Sequence, residues 1–312
     1  MEDIKEVKSV HLISFTLIAS STAAILAFIY AVIILFISGI LVVFIPQVAG
    51  FKDVISGLGV ASLIILPIGA YFLIMAVSLF TALLYNGLAQ RISGFKVGLE
   101  GNEIIHIPKK IFALLIATIE GIWAFILGLF LAAAVVPFTD IINNLIQYFI
   151  NTIPDAANIA GVLPLSIRAD GLSLAAMLII GFPVIVFLFG FVSSVLFAVF
   201  YNQIASKIIK MELEFEKISG TLHELKSLPV VATAAPVSGA VFGAFGVIMG
   251  FISLLSLALT RNPSVTNLTN DILIIVMNGL FYFIGYFLIF ALIAVIYNFL
   301  APRIGGIRLN LE

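Results

Sequence analysis

Six almost uninterrupted apolar stretches run through the chain, at 19–45, 58–86, 111–136, 172–202, 229–259 and 272–300. Each reaches the ~20 residues needed to cross a hydrocarbon core, so each predicts a transmembrane helix. Those longer than about 25 residues imply tilt, or helices that project past the hydrocarbon. The first run, from His11 to Gly50, is about twice the apolar length of a signal peptide and is read as a retained helix. Between the apolar runs the period changes to two. Phe95-Lys96-Val97-Gly98-Leu99-Glu100, Met211-Glu212-Leu213-Glu214-Phe215-Glu216 and Ile307-Arg308-Leu309-Asn310-Leu311-Glu312 alternate apolar and polar positions, which predicts strands. Gly101-Asn102 leads the first of these into Glu103-Ile104-Ile105-His106-Ile107, a hairpin with glycine first in a two-residue turn of type II′. Ile218 to Leu225 offers a similar return after the second strand, and Ile4 to Val10 a partner for the C-terminal one. The pattern predicts a small, pseudo-threefold cytoplasmic sheet beneath the helices, with Val97 and Leu99 on one face, Lys96 and Gly98 on the other, and edges that need pairing.

The three strands follow one recurrent phrase: YNGLAQRISGFKVGLE from Tyr85, YNQIASKIIKMELEFE from Tyr201 and YNFLAPRIGGIRLNLE from Tyr297. Without gaps these superpose Tyr85/Tyr201/Tyr297, Asn86/Asn202/Asn298, Ala89/Ala205/Ala301, Arg91/Lys207/Arg303, Ile92/Ile208/Ile304 and Glu100/Glu216/Glu312. Eighteen residues before each tyrosine stand Pro67, Pro183 and Gly279, all helix-weakening. The repetition predicts three units, 1–102, 103–217 and 218–312, each with two membrane helices, an external loop and a tail strand, the loop of the second being long (138–171). Two helices per unit bring every unit in and out on one side, so the repeats are parallel, unlike the inverted repeats of many transporters. The expected fold is an all-α polytopic membrane protein of six helices with a small β-sheet made from the repeat tails.

Lys8-Ser9-Val10 leading into a small-residue helix, Ile64-Ile65-Leu66-Pro67 in the second helix, and YN-x-x-A-x-[KR]-x-G-G before an alternating strand together resemble a widespread group of archaeal and bacterial two-helix membrane domains of unknown function. Arg303-Ile304-Gly305-Gly306 fits that ending best, and the second unit departs from it with Ile209-Lys210 in place of the glycine pair. The resemblance covers most of the chain and implies an archaeal-type architecture in three tandem copies.

Composition narrows the class further. Of 312 residues 62% are hydrophobic and 10% charged, against about 25% charged in soluble domains, so the surplus apolar surface faces lipid. A net charge of −1 leaves no broad basic surface, which argues against nucleic acid as a partner. With no cysteine there is no disulfide, thiolate metal site or thiol chemistry. The termini and the connections after the second and fourth helices carry Lys5, Lys8, Arg91, Lys96, Lys109, Lys110, Lys207, Lys210, Lys217, Lys226, Arg303 and Arg308; the other connections carry only Lys52, Arg168 and Arg261. The positive-inside rule then puts both termini in the cytoplasm of a multi-pass plasma-membrane protein. The acceptor triplet Asn267-Leu268-Thr269 falls in the last external connection on this reading.

Candidate chemistry is sparse. Glu120 stands ten positions past Lys110 in an apolar run, about 15 Å along a helix, and an ionisable group at that depth marks a functional position by default. It reads either as a proton or cation site or as a neutral carboxyl hydrogen-bonded to a neighbouring helix. The Tyr-Asn pairs and the following bases, Tyr85, Asn86, Arg91, Tyr201, Asn202, Lys207, Tyr297, Asn298 and Arg303, read better as structural closure at the membrane interface than as a convergent ligand site. His11, His106 and His223 lie near the cytoplasmic face without a ligand spacing such as i+3 or i+4, so they read as interface residues rather than a metal site. The segment Asp140 to Ile150 suits a helix lying in the outer interface, as a lid or a rim cover. No Walker loop, dinucleotide fingerprint, zincin helix or nucleophile elbow is present, and Gly239-Ala240-Val241-Phe242-Gly243 is a small-xxx-small helix contact. These readings predict no enzyme and no cofactor. They favour a scaffold that presents a cytoplasmic surface to a protein partner or a second copy, with a small transporter or channel built on Glu120 as the alternative.

Overall fold

The computed structural model describes residues 3–44, 50, 52–139, 141, 144, 148, 171–259 and 265–312. Strand β1 (Asp3–Val10) leads into helix α1 (Leu12–Phe44), and α2 (Lys52–Ala89) returns to the hairpin β2 (Phe95–Glu100) and β3 (Glu103–His106). Helix α3 (Lys109–Val135) ends in a 3₁₀ turn, Val136–Phe138. Helix α4 (Gly171–Ile208) is interrupted by π-turns at Met177–Gly181 and Tyr201–Ala205. The chain continues through β4 (Met211–Glu212), β5 (Glu214–Ser219), β6 (Leu222–Ser227), α5 (Val230–Leu259), α6 (Val265–Ile304) and β7 (Arg308–Leu311). Most of the long segment 138–171, including the expected interfacial helix from Asp140, lies outside the described residues.

Among the described residues, six helices are long and apolar enough to cross a membrane. Several extend beyond their apolar runs: α2 begins six residues before 58 and α6 seven before 272. That extension corrects one expectation. The triplet Asn267-Leu268-Thr269 lies within the start of α6, not in a loop. Residues 1–115 with 195–312 form one compact unit, and residues 116–194 a second.

Within the first unit, the strands form one antiparallel sheet in the order β4-β3-β2-β1-β7-β6-β5. Its two ends, β4 and β5, are consecutive in the chain and separated by Leu213 alone. One continuous strand therefore pairs with β3 through Met211 and Glu212, then with β6 from Glu214 onward. The sheet closes on itself as a ring of six strand positions, in which Met211–Glu212 pair on the β3 side only and Glu214–Ser219 on the β6 side only. Strands entering a helix (β1, β3, β6) alternate round the ring with strands leaving one (β2, β4–β5, β7). The chain ends take part: β1 pairs with β7, and Glu6 and Glu312 exchange both backbone hydrogen bonds at 2.7 and 3.0 Å.

The hairpins close as the sequence demands. Gly101 has φ 63° with Glu100 facing Glu103, and Gly220 has φ 55° with Ser219 facing Leu222. Asn102 and Thr221 keep negative φ, which fits turns needing φ > 0 at the first central position only. Val97 and Leu99 are both buried, packing with Ile104, Ile107, Ala198, Tyr201, Ala205 and Ala240. A second cluster gathers Ile18, Leu225, Ile296, Tyr297, Leu300 and Ala301. Leu213, at the seam, packs against both.

Candidate functional site

The recurrent Tyr-Asn pairs sit where helices meet this sheet, all in the first compact unit. Tyr85 Oη accepts the Phe95 N–H at 3.0 Å and donates to the Val7 carbonyl at 2.6 Å. Tyr201 Oη accepts the Met211 N–H at 3.1 Å and donates to the Ile104 carbonyl at 2.6 Å. Tyr297 Oη accepts the Ile307 N–H at 3.1 Å and donates to the Leu225 carbonyl. Val7 faces Phe95, and Ile104 faces Met211, in neighbouring strands. Each hydroxyl thus stands inside a ladder rung as both acceptor and donor, holding two strands apart while leaving neither backbone group unpaired.

Three residues beyond each of these carbonyls the asparagine takes over. Asn86 accepts the Val10 N–H at 2.8 Å and donates to the Val10 carbonyl at 2.9 Å. Asn202 does the same to Ile107, both bonds at 2.8 Å, and Asn298 to Leu228, both at 2.8 Å. A carboxamide has the donor and acceptor of a peptide, so it pairs with the last extended residue as another strand would. The next residues are His11, Pro108 and Pro229, whose carbonyls accept the first helical N–H from Phe15, Phe112 and Thr233 at 3.1, 3.2 and 2.8 Å. Proline holds Ile107 and Leu228 extended and gives up an N–H that a helix start leaves unused. Ala89, Ala205 and Ala301, one turn past the tyrosines, are all buried.

A carboxylate completes each junction. Glu6 accepts the Gly94 N–H at 2.7 Å and the Ser93 hydroxyl at 3.1 Å. Glu224, 6% exposed, accepts the Gly306 N–H and the Arg308 Nε–H, both at 3.0 Å. Burial works to raise both carboxyls, but these donors, with Lys8 and Lys96 around Glu6 and Lys226 and Arg308 around Glu224, hold each below the ordinary carboxylate range. A Cβ at Gly94 would overlap the Val7 carbonyl oxygen, and one at Gly306 the Leu225 carbonyl oxygen. These are the carbonyls that receive the tyrosine hydroxyls, so glycine is required by close approach.

The middle junction solves the same problem differently. Ser93 and Gly305 leave their helices at φ 138° and 87°. Their counterpart Ile209 is extended at φ −144°, because a β-branched side chain resists positive φ. The chain there makes a π-turn over Tyr201–Ala205 instead. Lys210 stands where the other junctions have glycine and forms an ion pair with Glu103, the counterpart of Glu6 and Glu224; burial opposes and that bond dominates in raising the lysine above its ordinary range. The tail glutamates also find bases: Glu100 with Lys210 at 3.4 Å, Glu216 with Lys226 at 2.9 Å and Glu312 with Lys8 at 3.6 Å.

Arg91, Lys207 and Arg303 are exposed at the helix ends and do not converge on these bonds. Arg303 lies 3.7 Å over the Phe299 ring and donates to its carbonyl. Glu120, in the second compact unit, is exposed on α3 with its carboxyl laid against Gly190, where a Cβ would overlap Oε2. Among the described residues no group of three His, Asp or Glu is placed to hold a metal, and His11, His106 and His223 form none.

From the sequence alone Glu6, Glu103, Glu224 and Gly94 carry no assigned role, and Gly306 enters only through the resemblance of Arg303-Ile304-Gly305-Gly306. Their signal was present in the spacing: the glycines fall nine residues after Tyr85 and Tyr297, and each glutamate three residues before Ser9, His106 or Ser227 in an entering strand. The six candidate spans among the described residues fit a multi-pass membrane protein. Compared with protein-family models, with curated proteins and with solved structures, the chain matches none.

Proposed function

We propose that this protein is a scaffold of the plasma membrane, built from three parallel two-helix repeats of the archaeal and bacterial kind it resembles, with its sheet and both termini in the cytoplasm. The observation that carries the reading is the commitment of the recurrent polar groups. At three junctions the tyrosine hydroxyl and asparagine amide make four hydrogen bonds, all to backbone. Groups spent in this way fix helices to a rigid closed sheet and do not turn over a substrate. Such a platform presents the outward-facing residues of the ring, among them Ile4 and Ile218, to a protein partner or a second copy.

A photo-crosslinking residue at Ile218 is expected to give a discrete adduct of reproducible mass in cells, lost in Ile4→Asp, whereas one at Ile64 in α2 gives only lipid. The rival reading is a small transporter, supported by the exposed carboxyl of Glu120 within a membrane span. Proton-dependent flux in proteoliposomes that Glu120→Gln abolishes, with the helices intact, would replace the scaffold by the transporter.

A further inference from the structure

The bases sort into two classes. Lys8, Lys96, Lys210, Lys226 and Arg308, all in or beside strands, lie within ion-pair distance of Glu6, Glu100, Glu103, Glu216, Glu224 or Glu312. Arg91, Lys207 and Arg303, at one repeated position, have no carboxylate partner among the described residues, and neither do Lys109 and Lys110. Each of the three repeated bases is followed by an exposed isoleucine, Ile92, Ile208 and Ile304, at 41%, 76% and 37% exposure. A cation without a carboxylate partner beside an exposed apolar side chain, at the end of a membrane-spanning helix, is the arrangement of a residue with its stem in acyl chains and its charge among headgroups. The middle junction is the most basic. Asn202 binds Ile107, two residues before Lys109 and three before Lys110, so the start of α3 and the Lys207 end of α4 are tied together.

The geometry points to a belt of anionic phospholipid sites, one at each helix–sheet junction, in which Arg91, Lys207 and Arg303 bind the headgroup phosphate and Ile92, Ile208 and Ile304 meet the acyl chain. This rests on the membrane reading alone and not on the scaffold. Bases at helix C-termini also complement the helix dipole. That role is indifferent to lipid, which makes the two separable.

The experiment uses the full chain in neutral detergent micelles doped with phosphatidylglycerol or phosphatidylcholine, with bound lipid counted by native mass spectrometry and melting followed in parallel. Wild type is expected to retain phosphatidylglycerol about fivefold better per site, from roughly one cationic contact each, and to melt higher with it. Arg91→Gln/Lys207→Gln/Arg303→Gln removes the preference while keeping its helical content and its phosphatidylcholine adducts. The charge-conserving set Arg91→Lys/Lys207→Arg/Arg303→Lys keeps the preference, as does Lys217→Gln, an exposed base in β5. Equal retention of both lipids by wild type overturns the proposal, and so does a triple-Gln variant that still prefers phosphatidylglycerol. Competition by millimolar inorganic phosphate that erases the preference overturns it too, since the sites would then bind any free anion.

Discussion

Each of the three tyrosine hydroxyls occupies a rung of an antiparallel ladder, so phenylalanine at Tyr297 leaves the Ile307 N–H and the Leu225 carbonyl facing one another across a gap. Tyr297 is 3% exposed, and water does not readily replace the hydroxyl. Tyr297→Phe is expected to cost about 1–3 kcal/mol, the penalty for buried groups that lose their partner, read as a lower melting temperature in detergent. An unchanged melt would show that the strands simply close up. Glu224 makes a second residue-scale prediction through pH. Its native carboxyl is held below the ordinary range, so between that value and the unfolded value, about 4.3, the unfolded chain binds more protons than the native one. The stabilisation is therefore present above the unfolded value and is lost as pH falls through the native one. Glu224→Gln should flatten the acid limb of a melting-temperature profile and leave the slope near neutrality alone.

At the scale of elements, two ways of leaving a helix are set by one backbone angle. Gly305 takes φ 87°, whereas Ile209 at the equivalent place takes φ −144° and is preceded by a π-turn. Gly305→Val should cost about 1–3 kcal/mol by forcing a β-branched residue to positive φ, while Ile209→Val leaves stability nearly unchanged; equal effects in chemical denaturation would mean the helix exits are not constrained in this way. The same comparison shows what the sequence disclosed. Spans were legible because ~20 apolar residues have few other uses, and the tails because Val97 and Leu99 alternate with polar neighbours. The Gly101-Asn102 turn was legible from its glycine. Closure was not. Met211 to Ser219 alternates like any strand, and nothing in that period says that it changes partner at Leu213. The carboxylates of Glu6, Glu103 and Glu224 were hidden because a charged residue in a strand reads as solvated until the donor facing it is known. Helix ends were underestimated for a related reason: the first turns of α6 are polar, so hydropathy stops short of Val265 while the backbone does not.

For the whole molecule, ring closure joins the two chain ends, since β1 completes the ring only by pairing with β7. The proposed orientation puts that ring in the cytoplasm and the start of α2, at Lys52, outside. Both the scaffold surface and the functional use of a closed sheet depend on this sidedness, and the absence of cysteine makes it directly measurable. Single cysteines at Lys52, Thr221 and Glu312 would be exposed to a membrane-impermeant maleimide, first in sealed cells and then after permeabilisation. The account predicts that Lys52→Cys reacts in sealed cells, whereas Thr221→Cys and Glu312→Cys react only once the membrane is opened. Labelling of Glu312→Cys in sealed cells, with Lys52→Cys protected, would contradict it.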